Sequence, residues 1–267
     1  MNPSVETQLR DKFGLDAVSG SLTDLAIILG SGISCDLPFV KTLTVPYADL
    51  IGFPKTHVQG HKGLITLGEL SNGAKVLIFA GRFHLYEGHS PDTVQTIVKL
   101  IAALGIKNLL ITNAAGGIDE SLRVADLMLI EAVRNYQVPD DDDAERGFLN
   151  ALTKPPLVIE SSLSEFISSQ DNIGRGTYAA VLGPNYETPT EIKLFKQQGC
   201  SSVGMSTYLE LKLALELGLN VAAVSVITNS WSCSAAPSHH EVLENSSRAQ
   251  AAINQLFEAC LKAVYKI

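Results

Sequence analysis

Charge is scarce in this chain. Only 18% of its 267 residues are charged, and the net charge is −8. A negative surplus suits neither nucleic acid nor an anionic membrane surface, so neither is expected as a partner. An anionic ligand would have to meet a local cluster of donors instead of a global field. Cysteine is scarce as well: Cys35, Cys200, Cys233 and Cys260 form no C-x-x-C pair and show no metal-ligand spacing. That pattern excludes the common zinc frameworks and predicts reduced thiols in a cytoplasmic protein without a metal. No apolar run approaches the ~20 residues that span a bilayer. Met1 to Thr7 lacks the charged-then-apolar pattern of a leader. No Pro/Gly/Ser-rich linker divides the sequence, so one domain over 1–267 is expected.

What the chain has in quantity is apolar residues, 46% of the total, enough for a large core and for buried subunit contact. Several of them form short runs that end in small or polar residues. Residues 24 to 29, Asp-Leu-Ala-Ile-Ile-Leu, read as a buried strand that stops at Gly30-Ser31-Gly32. The run 75–80, Lys-Val-Leu-Ile-Phe-Ala, stops at Gly81-Arg-Phe-His-Leu-Tyr-Glu-Gly88. The run 106–112 stops at Asn113-Ala-Ala-Gly-Gly117. Three strands that each end in such a stretch predict a parallel sheet with its loops gathered on one edge, where open α/β sheets bind ligands. Arg82 offers a planar fork of donors for phosphate, and His84 donates or accepts near neutrality. Glycines 30 and 32 let main-chain N–H groups approach an anion. As a dinucleotide fingerprint the first loop is incomplete, because Cys35 stands where the third glycine belongs and Pro38 interrupts the helix that should follow.

Farther along, Ser90-Pro91 opens a helix whose stripe is Val94, Ile97, Val98, Ile101 and Leu104, closed by Gly105. Residues 124–130, 178–182 and 221–227 read as further strands. Thr188 and Glu191 form a capping box with Pro189 at the first helical position, which leaves Tyr186 and Glu187 in a loop just ahead of a helix. Ser206 and Thr207 precede a helix over about 208–217, as caps or as phosphate donors. Ser238 and Glu241 make a second box, opening a long C-terminal helix whose apolar stripe runs from Val242 to Val264, with His239 and His240 in its first turn. The run Asp140 to Asp143 reads as a solvated loop, since adjacent like charges do not converge on one ion.

Taken together, Gly30-Ser-Gly32, Gly60-His61, Arg82 to Gly88, Asn113 to Gly117, Gly183-Pro-Asn-Tyr-Glu-Thr188, Gly204-Met-Ser-Thr207, Thr228-Asn229 and His239 resemble the trimeric, 6-oxopurine-type purine nucleoside phosphorylases, in that family's order. The resemblance implies an α/β fold in which helices flank a mixed, partly barrel-like sheet. It implies a phosphate site from Ser31, His61, Arg82, His84, Ser206 and the Ala114 main chain. Tyr86, Met205 and His239 match the family's ribose contacts, and Tyr186, Glu187, Val203 and Asn229 its purine contacts. His84, Glu187 and Asn229 are the implied catalytic residues. The implied substrates are a purine nucleoside and phosphate, with no organic cofactor or metal and a homotrimeric assembly.

Two departures stand out. Tyr208-Leu209-Glu210 follows the Gly-Met-Ser-Thr motif where relatives commonly have Val-Pro-Glu. Residues 134–156 lack the family's pattern; relatives place there an aromatic ring that reaches a neighbouring subunit's site, and Phe148 is the candidate stand-in. Alternatives left open by the sequence are a methylthioadenosine phosphorylase, which typically carries Asp where Asn229 stands, and a non-catalytic nucleoside binder on the same fold.

Overall fold

Leu25 to Leu29 is buried at every position, and its side chains divide by parity: Ala26 and Ile28 join one core, Leu25, Ile27 and Leu29 the other. A strand apolar on both faces belongs in the middle of a sheet covered on both sides. The computed structural model of the protein describes residues 3–14, 21–56, 58, 60–137, 152–231 and 239–266. Its strands are β1 (Leu25–Leu29), β2 (Phe39–Pro46), β3 (Leu64–Leu70), β4 (Lys75–Ala80), β5 (Asn108–Gly117), β6 (Leu127–Tyr136), β7 (Leu157–Val158), β8 (Gly174–Val181), β9 (Cys200–Gly204) and β10 (Asn220–Ser230). The α-helices are α1 (Val5–Lys12), α2 (Pro91–Val94), α3 (Thr96–Ala103), α4 (Ser162–Ser168), α5 (Pro189–Gln197), α6 (Tyr208–Glu216), α7 (His239–Arg248) and α8 (Gln250–Tyr265).

These strands make one mixed sheet, ordered β10-β6-β8-β9-β5-β1-β4-β3-β2, with β7 on β6. Because β10 also pairs with β5, the strands β5, β10, β6, β8 and β9 close into a five-membered barrel-like ring. The wing is parallel through β5, β1 and β4 and turns antiparallel at β3 and β2. One core joins Ile28, Phe79 and Ile111 to Ile97, Val98 and Ile101 of α3. The other joins Ile27, Ile78 and Leu110 to Ile253, Leu256 and Phe257 of α8. Each such fully buried side chain contributes about 1.5–3 kcal/mol, which makes the central wing the stiff part of the molecule. The α/β class and the mixed, partly closed sheet expected from the sequence are what the fold has.

The local differences have physical causes. Ser90 caps α2 as predicted, accepting from Thr93 N at 3.2 Å. The helix then breaks at Gln95, whose amide donates to Leu209 O at 3.2 Å. The stretch 113–117 is no loop; it is the end of β5, flanked by β10 in parallel and β9 in antiparallel register. The C-terminal helix is divided at Ala249 into α7 and α8. Thr188 and Glu191 form the predicted box, with Thr188 N donating to Glu191 Oε2 at 2.7 Å and Glu191 N to Thr188 Oγ1 at 3.3 Å. Ser238, Asp140 to Asp143 and Phe148 lie outside the described residues, as does the side chain of His239. Among the described residues no helix is long and apolar enough to cross a membrane.

Candidate active site

The carboxyl ends of β1, β4, β5, β9 and β10 converge on one cleft of about 670 Å³, counting the space open to solvent. Gly30 lets two of these ends approach, since a Cβ there would stand 2.7 Å from Asn113 Cα and 3.0 Å from Thr112 O. Of the residues singled out in the sequence, Ser31, Arg82, His84, Tyr86, Ala114, Tyr186, Glu187, Val203, Met205, Ser206 and Asn229 all line this cleft. His61 stands directly behind it, bonded to Ser31.

Arg82 is 1% exposed, an extreme burial for a guanidinium. Its Nη1 donates to Ser206 Oγ at 3.2 Å, and its Nε lies 3.3 Å from Oε1 of the fully buried Glu210. That second contact is poorly aligned as a hydrogen bond, so charge holds the pair. Nη2 is buried and has no partner among the described residues. A buried, charged donor left bare is costly unless a ligand answers it.

His61 settles its own tautomer. The main-chain N–H of Arg82 donates to His61 Nδ1 at 2.8 Å, closer than Arg82 O at 3.2 Å, so Nδ1 is the acceptor and carries no proton. Nε2 then holds the hydrogen and donates to Ser31 Oγ at 2.9 Å. The Ser31 hydroxyl keeps its own hydrogen for a ligand. Burial, with His84 and Arg82 nearby, pushes the His61 pKa down to about 3, which keeps the ring neutral at working pH.

His84 is fixed differently. Glu87 Oε1 accepts from the His84 main-chain N–H at 2.9 Å and from ring Nδ1 at 3.0 Å. With Nδ1 as donor, Nε2 is the ring's remaining polar atom. Burial lowers the His84 pKa, and the bond to Glu87 works against that. Tyr86 stacks on the imidazole, ring centres 4.7 Å apart and 19° from parallel. The side chain therefore has little freedom to rotate.

Between β9 and α6 the chain makes a γ-turn: Tyr208 N donates to Ser206 O at 2.9 Å, with Thr207 at φ 78°, ψ −42°. For a β-branched residue this backbone is strained by about 1–3 kcal/mol. Asn113 holds it, donating from Nδ2 to Thr207 Oγ1 at 2.8 Å. The turn sets Ser206 Oγ against both Arg82 and Thr207 Oγ1, the latter at 3.1 Å. At the other end of the cleft Glu187 is 9% exposed, and burial pushes its pKa up to about 7. Among the described residues no group of His, Cys, Asp and Glu has the arrangement of a metal site.

Sequence reasoning missed three participants: Glu87 behind His84, Asn113 behind Thr207, and Glu210 behind Arg82. Signals existed for two of them. Glu87 follows His84 by one turn, and Glu210 is an acid set among Tyr208, Leu209 and Leu211 on a helix. Asn113 gave none, because its partner is 94 residues away.

The phosphorylase superfamily model matches residues 24–262 of the chain. Purine nucleoside phosphorylase 1 of Bacillus subtilis (strain 168) is 35% identical over 246 residues, which cover 88% of this chain and 90% of that one. The chain belongs to the purine nucleoside phosphorylase family. Two solved complexes of Schistosoma mansoni purine nucleoside phosphorylase superpose along nearly the whole length. The complex with adenosine has a TM-score of 0.75 at 30% identity, covering 97% of this chain and 95% of the other. The complex with inosine has a TM-score of 0.74 at 28% identity, covering 97% and 94%. Against the purine nucleoside phosphorylase pattern, the departure at Tyr208 and Leu209 is absorbed by packing. Both side chains are buried in the core and neither lines the cleft.

Proposed function

We propose that this chain cleaves purine nucleosides, 6-oxopurine nucleosides such as inosine and guanosine foremost, with inorganic phosphate, giving free base and ribose 1-phosphate for purine salvage. The observation that carries the reading is Arg82 Nη2, a buried donor without a partner among the described residues, beside the Ser31 hydroxyl, His84 and Ser206. That set is a seat for a tetrahedral anion. Phosphate there contacts Ser31, Arg82, His84, Ser206 and the Ala114 main chain, with His61 orienting Ser31. Tyr86, Met205 and His239 hold the ribose, and Tyr186, Glu187, Val203 and Asn229 the base. No organic cofactor enters the reaction, and phosphate is the second substrate. The working unit is one domain over 1–267, assembled as a homotrimer in the cytoplasm.

The chemistry follows from where charge develops. As the glycosidic bond stretches, the ribose becomes positive and the departing purine negative. Bound phosphate faces the sugar cation and captures its anomeric carbon; the bonding pair leaves with the base. Asn229 bonds the N7 and O6 edge, where the negative charge gathers, and ionised Glu187 accepts from N1–H. His84, oriented by Glu87, presents Nε2 to the phosphate and holds or accepts its proton. The test is inosine turnover with and without phosphate. Turnover is expected only with phosphate; equal rates without it would mark a hydrolase instead.

Glu187 gives the reaction a pH dependence. Its free-enzyme pKa is about 7, so at lower pH the protonated carboxyl has lost the acceptor that N1–H needs. For inosine, kcat/KM is expected to climb with pH through about 7 and then level, because that ratio reports free-enzyme ionisations. Glu187→Gln should flatten the climb, and a climb unchanged in that variant rules Glu187 out as its source. Stability runs the opposite way. A carboxyl whose pKa is raised on folding contributes stability that is full below its unfolded value and lost as pH rises through about 7.

A further inference from the structure

Trp231 is the only tryptophan of the chain, next after the last residue of β10 and two residues beyond Asn229. Its main-chain N–H donates to Gly117 O at 3.0 Å, and its ring packs against the small core of Ile118, Phe195 and Val203. Its Nε1 is buried and has no hydrogen-bond partner among the described residues, whereas a buried indole N–H is ordinarily paired. Gly116 shows what the nitrogen faces. A methyl group on that glycine would sit 2.9 Å from Trp231 Nε1 and 3.0 Å from Asn229 Nδ2. The backbone of Gly116 is not left-handed, so conformation does not call for glycine here. Glycine is what lets the indole and the amide approach the end of β5 this closely. Gly116 and Asn229 both line the cleft, and Trp231 Nε1 stands just behind that lining, beside the Asn229 amide.

We propose that Trp231 is a specificity-determining residue whose Nε1–H adds a second donor to the 6-oxo group of the purine, beside Asn229 on the N7 and O6 edge. This rests on the reading of the cleft as a purine nucleoside site. A 6-oxopurine carries two neighbouring acceptors on that edge, and its 6-oxo oxygen has lone pairs for both donors. A 6-amino group is itself a donor there and leaves the indole unanswered. The negative charge of the departing base spreads over N7 and O6, so both bonds strengthen as the reaction proceeds.

The experiment compares inosine with purine riboside, the same nucleoside without the 6-oxo group, in the unmodified enzyme and in Trp231→Phe. Phenylalanine keeps an aromatic ring in the small core and removes the N–H. The variant is expected to lose about 10- to 100-fold in kcat/KM on inosine. On purine riboside it should stay within about twofold of the unmodified enzyme. Equal losses on both substrates, or none on inosine, overturn the proposal. A second measurement needs no variant: with one tryptophan in the chain, hypoxanthine should produce a saturable change in its emission, and an emission that ignores bound base overturns the proposal too. An unmodified enzyme inactive on inosine with phosphate present sinks the nucleoside reading itself. An active one with an unaltered inosine to purine riboside ratio in Trp231→Phe sinks only the role of Trp231.

Discussion

Arg82→Ala is expected to do two separable things: to cripple the use of phosphate and to destabilise the fold. The first follows from the bare Nη2 and from Nη1, which holds Ser206. A charge-assisted bond contributes about 1.5–3 kcal/mol, so the KM for phosphate should rise tenfold to over a hundredfold. The second follows from Glu210, which is 0% exposed and has Arg82 as its only opposite charge at ion-pair distance among the described residues. Removing one partner of a buried pair costs about 3–5 kcal/mol, because the other charge is stranded. Burial already pushes the Glu210 pKa up, and Arg82 opposes that shift. Without Arg82 the carboxyl moves further up and protonates.

The sign of the pH effect follows. In Arg82→Ala the folded-state pKa of Glu210 stands above its unfolded value by more than in the parent. The variant should therefore come closest to parental stability at low pH and fall behind as pH rises. Urea unfolding of the parent, Arg82→Ala and Arg82→Ala/Glu210→Gln at about pH 5.5 and about pH 8 separates the two effects. The double variant should recover most of the lost stability at the higher pH and none of the phosphate affinity. If Arg82→Ala unfolds like the parent there, the pair carries no stability. If the double variant regains phosphate use, Arg82 is not an anion ligand.

That pair also shows where sequence reading runs out. Gly81 to Gly88 was legible because its chemistry is contiguous: an apolar run, then Arg82, His84 and Tyr86 in close succession. The capping box at Thr188 and Glu191 was legible because both ends of its bonds lie one helical turn apart. The buried strands β1 and β4 were legible because parallel central strands are apolar on both faces. By contrast, Asn113 to Gly117 has the composition of a turn and the structure of a strand. Its main-chain groups are paired by β10 and β9, far downstream in the sequence, and no local pattern reports that. The orientation of Ser206 is likewise set from outside, by Asn113 on Thr207 and by Arg82.

The residues legible in sequence are thus the ones that would touch substrate, with His61 and Thr207 behind them, whereas Glu87, Asn113 and Glu210, which also hold them, were hidden. Ser31 is aimed by His61, His84 by Glu87, Ser206 by Thr207 and Asn113. Strain at Thr207 and desolvation at Glu210 are the costs of holding these groups in place. Such arrangements persist where preorganisation for a charged ligand outweighs their cost.

Asn229→Asp is expected to collapse the preference for 6-oxopurines. In the proposed site the Asn229 amide donates to the N7 and O6 edge, consistent with Asn229 lining the cleft beside Gly116. An adenine base presents N6–H₂ in place of O6 and lacks the N1–H that ionised Glu187 accepts. Two buried groups then lose partners, at about 1–3 kcal/mol each. That supports a preference for inosine or guanosine over adenosine on the order of a hundredfold or more in kcat/KM. The Schistosoma mansoni relative has been solved with adenosine as well as with inosine. A base that enters a cleft is still turned over slowly when its developing charge is not met. The ionised carboxylate that replaces the amide has no donor: it accepts from N6–H₂ and repels O6. Inosine and guanosine should therefore lose most of their rate while adenosine holds or gains. Glu187 is unchanged in that variant, so the N1–H part of the preference should survive and the ratio should narrow without inverting fully. The measurement is kcat/KM for guanosine, inosine and adenosine in both proteins at saturating phosphate, above about pH 7 where Glu187 is ionised. A parent that favours adenosine, or a ratio untouched by the substitution, means that Asn229 does not read the base.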